Sequence, residues 1–228
     1  MRIMSFWGRY KCRLCTLRPA PLNLNTVKRL PLFPLPETVV FPGLLIPLFI
    51  FEERYKQMVR DLLAQSENER RFVITLATPQ GFREVGGYVD LLAASENPDG
   101  TFNIVCRGGE RCRVEGVGVF ENHLYQTTLD IPYPLERSPR SEEIVAVWDA
   151  MEVFRSYMAG VADPVALEEA MANLPDDPLY QTSFLCVNLR VSAQDRQALL
   201  EAPSLLQRLE RVQTLMRQGS ISGSTAEA

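Results

Sequence analysis

Apolar and polar positions change their period twice along this chain, and the first change falls within residues 30–59, LPLFPLPETVVFPGLLIPLFIFEERYKQMV. Proline stands at 31, 34, 36, 42 and 47. Each proline removes an N–H donor and disfavours helical backbone before it, so a continuous helix is excluded. Val39, Val40 and Phe41, then Ile46, Leu48, Phe49, Ile50 and Phe51, suit a pleated, half-buried surface. Pro42-Gly43 between them is a turn signal, and the reading is strand, turn, strand. From Glu52 the period becomes helical: Tyr55, Met58, Val59, Leu62 and Leu63 recur on one face with Lys56, Arg60 and Asp61 between them, which predicts a helix over 52–65.

Short extended runs follow. VKRLPLF at 27–33 reads as a first strand, FVITLA at 72–77 as a buried one, and the stretch at 85–93 as another whose Gly86-Gly87 marks a bulge or a close approach of backbones. Asn97-Pro-Asp-Gly100 is a hairpin loop into TFNIVC at 101–106. Gly108-Gly109 reads as a turn into an alternating strand at 111–120, and a last strand spans 124–131. About seven short strands with one early helix predict a closed or nearly closed barrel.

The second change comes after Pro132, Pro134 and Pro139, which mark a linker. Ile144, Val147, Trp148, Met151, Phe154 and Met158 then form one helical stripe. Asp163-Pro164 and Asp177-Pro178 are N-caps followed by proline at the first helical position, and Ser192 and Ser204 head capping-box patterns. The expected layout is a basic, unstructured extension at 1–26, a barrel domain at 27–134, a helical bundle at 140–218 and a disordered tail at 219–228.

Charge sharpens this picture. Residues 1–36 hold seven basic groups, Arg2, Arg9, Lys11, Arg13, Arg18, Lys28 and Arg29, and no acid; the other 192 residues carry 17 basic against 28 acidic groups, a balance of −11. An acidic body argues against a phosphate-backbone partner, so nucleic acid is not the expected ligand. No run of about 18 apolar residues predicts a membrane helix, and the basic N-terminus lacks a signal-peptide pattern; the cytoplasm is the expected location. Five cysteines, Cys12, Cys15, Cys106, Cys112 and Cys186, make neither a disulfide scaffold nor a four-ligand zinc set, so no metal and no cofactor is expected.

Candidate chemistry is sparse. The three lysines, Lys11, Lys28 and Lys56, do not follow glycine, which excludes a G-x-x-x-x-G-K-[ST] phosphate loop. His123 is the single histidine and falls in an expected turn, while Lys56 falls on the exposed helical face with no serine nominated beside it. Glu52-Glu53, Glu142-Glu143 and Asp176-Asp177 are adjacent pairs suited to helix N-termini. Arg107, Arg111 and Arg113 flank a glycine pair and are candidates for a basic cleft that takes a carboxylate or an acidic peptide; the alternative is a solvated face balancing Glu110 and Glu115.

Residues 30–59, together with Gly109-Glu-Arg-Cys-Arg-Val-Glu115 and SAQDRQALLEAPSLLQRLERVQTL, resemble the N-terminal substrate-binding domain of Lon-type ATP-dependent proteases in its free-standing form. Cys112 stands where that family usually has an aromatic residue. The resemblance covers roughly residues 28–217. It implies an α+β fold, a PUA-like β-barrel followed by a C-terminal α-helical bundle, and a non-enzymatic module or adaptor that binds unfolded or damaged polypeptides for a protease or chaperone. The alternative it leaves is an RNA-binding PUA-like protein. Pro34, Phe41, Pro42, Gly43, Phe51, Glu52, Arg54, Tyr55, Arg111 and Arg113 match the family's motif positions. Pro34, Phe41, Pro42, Glu52, Arg54, Tyr55, Arg107, Arg111 and Arg113 are the peptide-binding candidates. Among the motif residues, Phe41 and Phe51 are expected to fill the core, and Glu52 to pair with Arg54. Any binding surface is expected on the face that the prolines leave exposed.

Overall fold

In the computed structural model, residues 28–120 and 122–224 are described; the basic extension at 1–26 lies outside them. The chain begins with β1 (Arg29–Leu35) and β2 (Leu45–Ile50), then α1 (Glu53–Leu63) and, after a short 3-10 turn, β3 (Arg71–Thr78). Two long strands follow, β4 (Gly81–Glu96) and β5 (Phe102–Arg113), then the short β6 (Thr127–Leu129) and β7 (Ile131–Pro132). Five helices complete the molecule: α2 (Arg140–Met158), α3 (Pro164–Ala172), α4 (Pro178–Asn188), α5 (Ala193–Leu200) and α6 (Leu205–Ser224). The class is mixed α+β, with seven strands and six α-helices among the described residues.

The seven strands form one sheet in the order β2-β5-β4-β3-β1-β6, with β7 paired to β5. β1 and β3 run parallel and the other pairings are antiparallel. The expected barrel does not close: β2 and β6 end the order with no ladder between them. Helix α1 follows β2 and is tied to the loop before β6, where Gln57 donates to the Asn122 carbonyl, accepts from the Leu124 amide, and Tyr125 donates to Asp61 at 2.9 Å. Met58, Val59 and Leu62 of α1 thereby cover the inner face beside Ile50, Phe72, Val89 and Ile104. A helix that buries an apolar face on the sheet supplies the cover that closure would otherwise provide.

Two further expectations change, for one shared reason. Gly108-Gly109 is no turn, because β5 runs without a break from Phe102 to Arg113, and Val39–Phe41 is no strand. A Cβ on Gly108 would lie 2.3 Å from the Phe41 carbonyl oxygen, and one on Gly87 would lie 2.9 Å from Cβ of Val40. The glycines therefore make room for Val40 and Phe41 to cross the sheet as irregular, fully buried chain. The close-approach reading of Gly86-Gly87 holds, and the register of β4 against β5 shifts between Gly87 and Val89. The hairpin at 97–100 also holds, with Gly100 at φ 78° and its amide donating to Asn97.

The helical half begins where its caps predict. Asp163, Asp177 and Ser192 accept from the amides of Ala166, Leu179 and Asp195, and Ser204 accepts from Gln207. Helix α6 continues to Ser224, so the backbone at 219–224 is helical where a structureless tail was expected. Adding residues to a helix already anchored by packing costs far less than nucleating one, and Leu205, Leu209, Val212 and Met216 provide the anchor. That cluster also contains Phe41 and Val85 from the sheet half, so one core spans both halves.

Candidate functional site

The nine sequence candidates do not converge on one place. Pro34 lies inside β1 opposite Thr75. Glu52, Arg54 and Tyr55 sit at the start of α1, where the Arg54–Glu52 pair forms at 2.7 Å as expected and the Arg54 guanidinium stacks 4.6 Å over the ring of the buried Tyr55. Burial is the main cause that raises the Tyr55 hydroxyl above its ordinary pKa. Pro42 and Arg111 line a cavity at the junction of sheet and bundle, the Phe41 ring lies in the shared core beneath the Arg208 guanidinium at 5.6 Å, and Arg113 lies with Arg111 against the ring of Tyr133. Arg107 alone faces outward from the sheet, beside Asp90 at 3.7 Å.

Arg111 is buried, and its guanidinium is spent on carbonyl oxygens. Nε donates to Tyr133, Nη1 to Leu200 and Ala202, and Nη2 to Pro134 and Pro203, at 2.6 to 3.3 Å. Five N–H donors thus meet five acceptors. Burial holds the Arg111 pKa below the usual guanidinium value. The side chain fastens the linker and the α5–α6 turn to β5, which leaves it no donor for a ligand. The expected basic cleft of Arg107, Arg111 and Arg113 is not assembled: Arg107 goes to the outer face, and although Arg111 and Arg113 both lie against the Tyr133 ring, the donors of Arg111 are all taken by carbonyls.

The structure instead presents an apolar face on the outside of the sheet. Because Gly108 donates to the Leu44 carbonyl, residues 44, 46, 48 and 50 occupy the hydrogen-bonded positions of β2 against β5. Leu45, Pro47 and Phe49 alternate with them and point their side chains outward. Three cross-strand rows result: Leu45–Arg107–Asp90, Pro47–Val105–Ala93 and Phe49–Asn103–Ser95. Leu45 is 66% exposed, Phe49 57% and Phe51 64%, and the Phe51 ring stacks on Phe49 at 6.2 Å. A shallow groove of about 490 Å³ runs along the Pro47 and Phe49 rows. Phe51 is therefore not a core residue: the chain turns at the β2–α1 junction and carries its ring out over Phe49. β2 is also an edge strand, and Pro47 stands at an outward-facing amide position with no N–H to offer. The edge is blunted while the face remains open.

Sequence periodicity could not show this face, since both sides of LIPLFI are apolar. The usable signal was Pro47, which restricts its strand to an edge.

The remaining groups that could carry chemistry have structural surroundings. Lys56 is buried rather than exposed and pairs with Glu53 at 2.6 Å. His123 faces Asp61 at 3.4 Å and lies tilted against the Tyr125 ring, centroids 4.7 Å apart. Cys106, Cys112 and Cys186 are buried, and burial pushes each thiol up to about 12. Among the described residues no three His, Cys, Asp or Glu side chains gather as a metal site, and no helix is long and apolar enough to cross a membrane.

A mixed sheet capped by a helical bundle, with an open apolar face beside an edge strand, has the features of a small binding domain. The family model for the substrate-binding domain of ATP-dependent protease La (LON) matches residues 29–218, and the chain belongs to that family. Among curated relatives it is 26% identical over 202 residues to Lon protease 1 of Myxococcus xanthus, covering 84% of this chain and 24% of that one. It is 25% identical over 199 residues to Lon protease of Escherichia coli, covering 82% and 24%. The chain thus spans about a quarter of the length of the curated relatives it matches. Among solved structures, the N-terminal domain of Mycobacterium avium complex Lon protease matches with a TM-score of 0.65 at 17% identity, covering 83% of this chain and 98% of that one. The Lon N-terminal domain protein from Xanthomonas campestris matches with a TM-score of 0.57 at 24% identity, covering 82% and 97%. These two likenesses concern the fold.

Proposed function

We propose that this chain is a non-enzymatic polypeptide-binding module that takes unfolded or damaged segments on the outer face of its sheet and presents them to a protease or chaperone. The observation that carries the reading is the contiguous exposure of Leu45, Phe49 and Phe51 next to Val105 in a domain of a substrate-binding family. Large apolar side chains exposed together on a stable domain mark interaction surfaces. Extended chain with apolar residues at alternate positions fits such rows, and Pro47 directs it to side-chain contacts rather than to strand addition. The matched region is the substrate-binding domain alone, and the sequence contains no phosphate-loop motif, so the reading assigns neither ATP hydrolysis nor peptide cleavage to these residues. The RNA-binding alternative gains no support, given the acidic body.

The test is titration of the full chain with unfolded casein, followed by fluorescence anisotropy, beside the double variant Leu45→Ser, Phe49→Ser. Wild type should bind in the micromolar range, and the variant at least about tenfold more weakly, the loss of roughly 1.4 kcal/mol expected when apolar contacts are removed. Because both residues are exposed, the urea midpoint should be unchanged. A folded wild type that shows no binding at high micromolar casein overturns the reading.

A further inference from the structure

At the junction of sheet and bundle lies a cavity of about 250 Å³ that the outer-face reading does not use. Pro42, Pro134, Leu135, Leu179 and Leu200 supply apolar walls, and Arg111, Arg208, Arg137 and Glu110 supply the charges. Arg137 is already engaged, forked onto Glu143 at 2.7 Å and facing Asp177 at 3.7 Å. Arg111 and Arg208 are different, since neither has a carboxylate within ion-pair distance among the described residues. Arg208 is 1% exposed; its Nε donates to the Leu199 carbonyl at 2.9 Å and its Nη2 to the Leu200 carbonyl at 3.2 Å. Its Nη1, with two hydrogens, makes no hydrogen bond to the described residues. Burial pulls the Arg208 pKa down to about 10, with the nearby Arg111 charge acting in the same direction.

An uncompensated buried guanidinium costs several kcal/mol of desolvation unless an anion or enough acceptors offset it. Here the carbonyls offset part of it, and Arg208 lines the cavity, where an anion would complete the set through the Nη1 that no carbonyl takes. We propose that this cavity is a receptor for a single carboxylate carried on a small apolar group, with Nη1 of Arg208 as the donor that meets it. Three features select that chemistry. A guanidinium edge matches the geometry of a carboxylate. The volume equals about eight water molecules at ~30 Å³ each, more than a lone oxyanion fills, and the surplus space is walled by leucine and proline. Glu110 and the acidic body disfavour a multiply charged phosphate, while a monovalent acid meets less repulsion.

Two sources carry this chemistry: the C-terminal residue of a polypeptide, which rests on the polypeptide-binding reading above, and a free small acid, which does not. Calorimetric titration of the full chain separates them. The probes are N-acetyl-leucine, N-acetyl-leucinamide, inorganic phosphate, and a ten-residue peptide ending in leucine as the free acid and as the amide. N-acetyl-leucine should bind at least about tenfold more tightly than its amide, and more tightly than phosphate. A peptide acid that binds tighter still, with its amide much weaker, assigns the site to chain termini; a peptide acid that binds no better than N-acetyl-leucine assigns it to free acids. Arg208→Met should remove the preference for acid over amide. If that variant does not fold, Leu179→Trp, which fills the cavity from α4 and leaves Arg208 in place, should weaken N-acetyl-leucine at least about tenfold. Equal binding of acid and amide, no binding of either, or tighter binding of phosphate overturns the proposal. The Leu45→Ser, Phe49→Ser variant separates the two readings, because it should lose casein and keep the discrimination between acid and amide.

Discussion

Arg111 shows how one residue can match a family motif and still serve the fold. Its fork reaches carbonyls from three separate segments, the linker, the end of α5 and the turn that leads into α6, which no single backbone hydrogen bond can do. Lysine carries the same charge but offers three donors from one point. Arg111→Lys therefore leaves at least two buried acceptors unmet, at ~1–3 kcal/mol each. The variant should lose about 2–5 kcal/mol in urea denaturation, and a loss below 1 kcal/mol would show that the carbonyl set is dispensable. Glu143 gives a prediction with a definite pH sign. Burial raises its pKa, but the Arg137 fork and the Ser138 amide outweigh that and hold it below the ordinary carboxylate value. A depressed folded pKa means stability that is present above the unfolded value of ~4.3 and lost as pH falls through the folded value. Glu143→Gln should accordingly lower the urea midpoint most at pH 7, and the gap to wild type should narrow below about pH 4. A gap that does not change with pH would mean that the pair contributes shape rather than charge.

Among the elements, those written in local chemistry were legible and those set by neighbours were not. The helix starts could be read because caps act within three residues: Asp163, Asp177 and Ser192 each meet an amide two or three positions on. The long β5 reads as two pieces because a glycine pair usually marks a turn, whereas here the missing side chain of Gly108, with that of Gly87 on β4, accommodates Val40 and Phe41, more than forty positions away in sequence. The outer face was hidden for a related reason, since which apolar side of β2 meets α1 depends on a helix that follows it. Of the nine candidate residues, the sequence could place the Glu52–Arg54 pair, which is local, but could not foresee that Arg111 would be enclosed by segments some 90 residues downstream. The close approach can be tested. Gly108→Ala puts a methyl group 2.3 Å from a backbone oxygen that cannot rotate away. Overpacking of this kind costs typically 1–3 kcal/mol, and the larger end is expected because backbone must move. Gly109→Ala, whose Cβ would meet its nearest atom at 3.3 Å, should cost clearly less. Thermal denaturation of the two variants gives the order, and a reversed order would contradict the packing described.

At the scale of the whole molecule, the proline-marked linker suggests two domains, yet the contacts across it describe one cooperative unit. Phe41 and Val85 from the sheet half share a core cluster with Val147, Phe154, Leu185, Leu209 and Met216. Polar links reinforce it: Arg83 forks onto Glu201 at 2.8 to 3.1 Å, Gln197 donates to the Val85 carbonyl at 2.9 Å, and Arg111 binds the α5–α6 turn. If the bundle opened alone, Phe41 would lose its cover and the Arg111 guanidinium would keep only its linker acceptors, both at a cost of several kcal/mol. Partial opening is thus expected to cost nearly as much as global unfolding. Native-state hydrogen exchange tests this directly, because slow amides in β3, β4 and α6 should give the same opening free energy within about 1 kcal/mol. Arg111→Lys should lower all three sets together. Amides of α6 that exchange through an opening several kcal/mol cheaper, while β3 and β4 stay protected, would divide the molecule at its linker after all. The cavity around Arg208 would then lie at a hinge rather than inside one packed body.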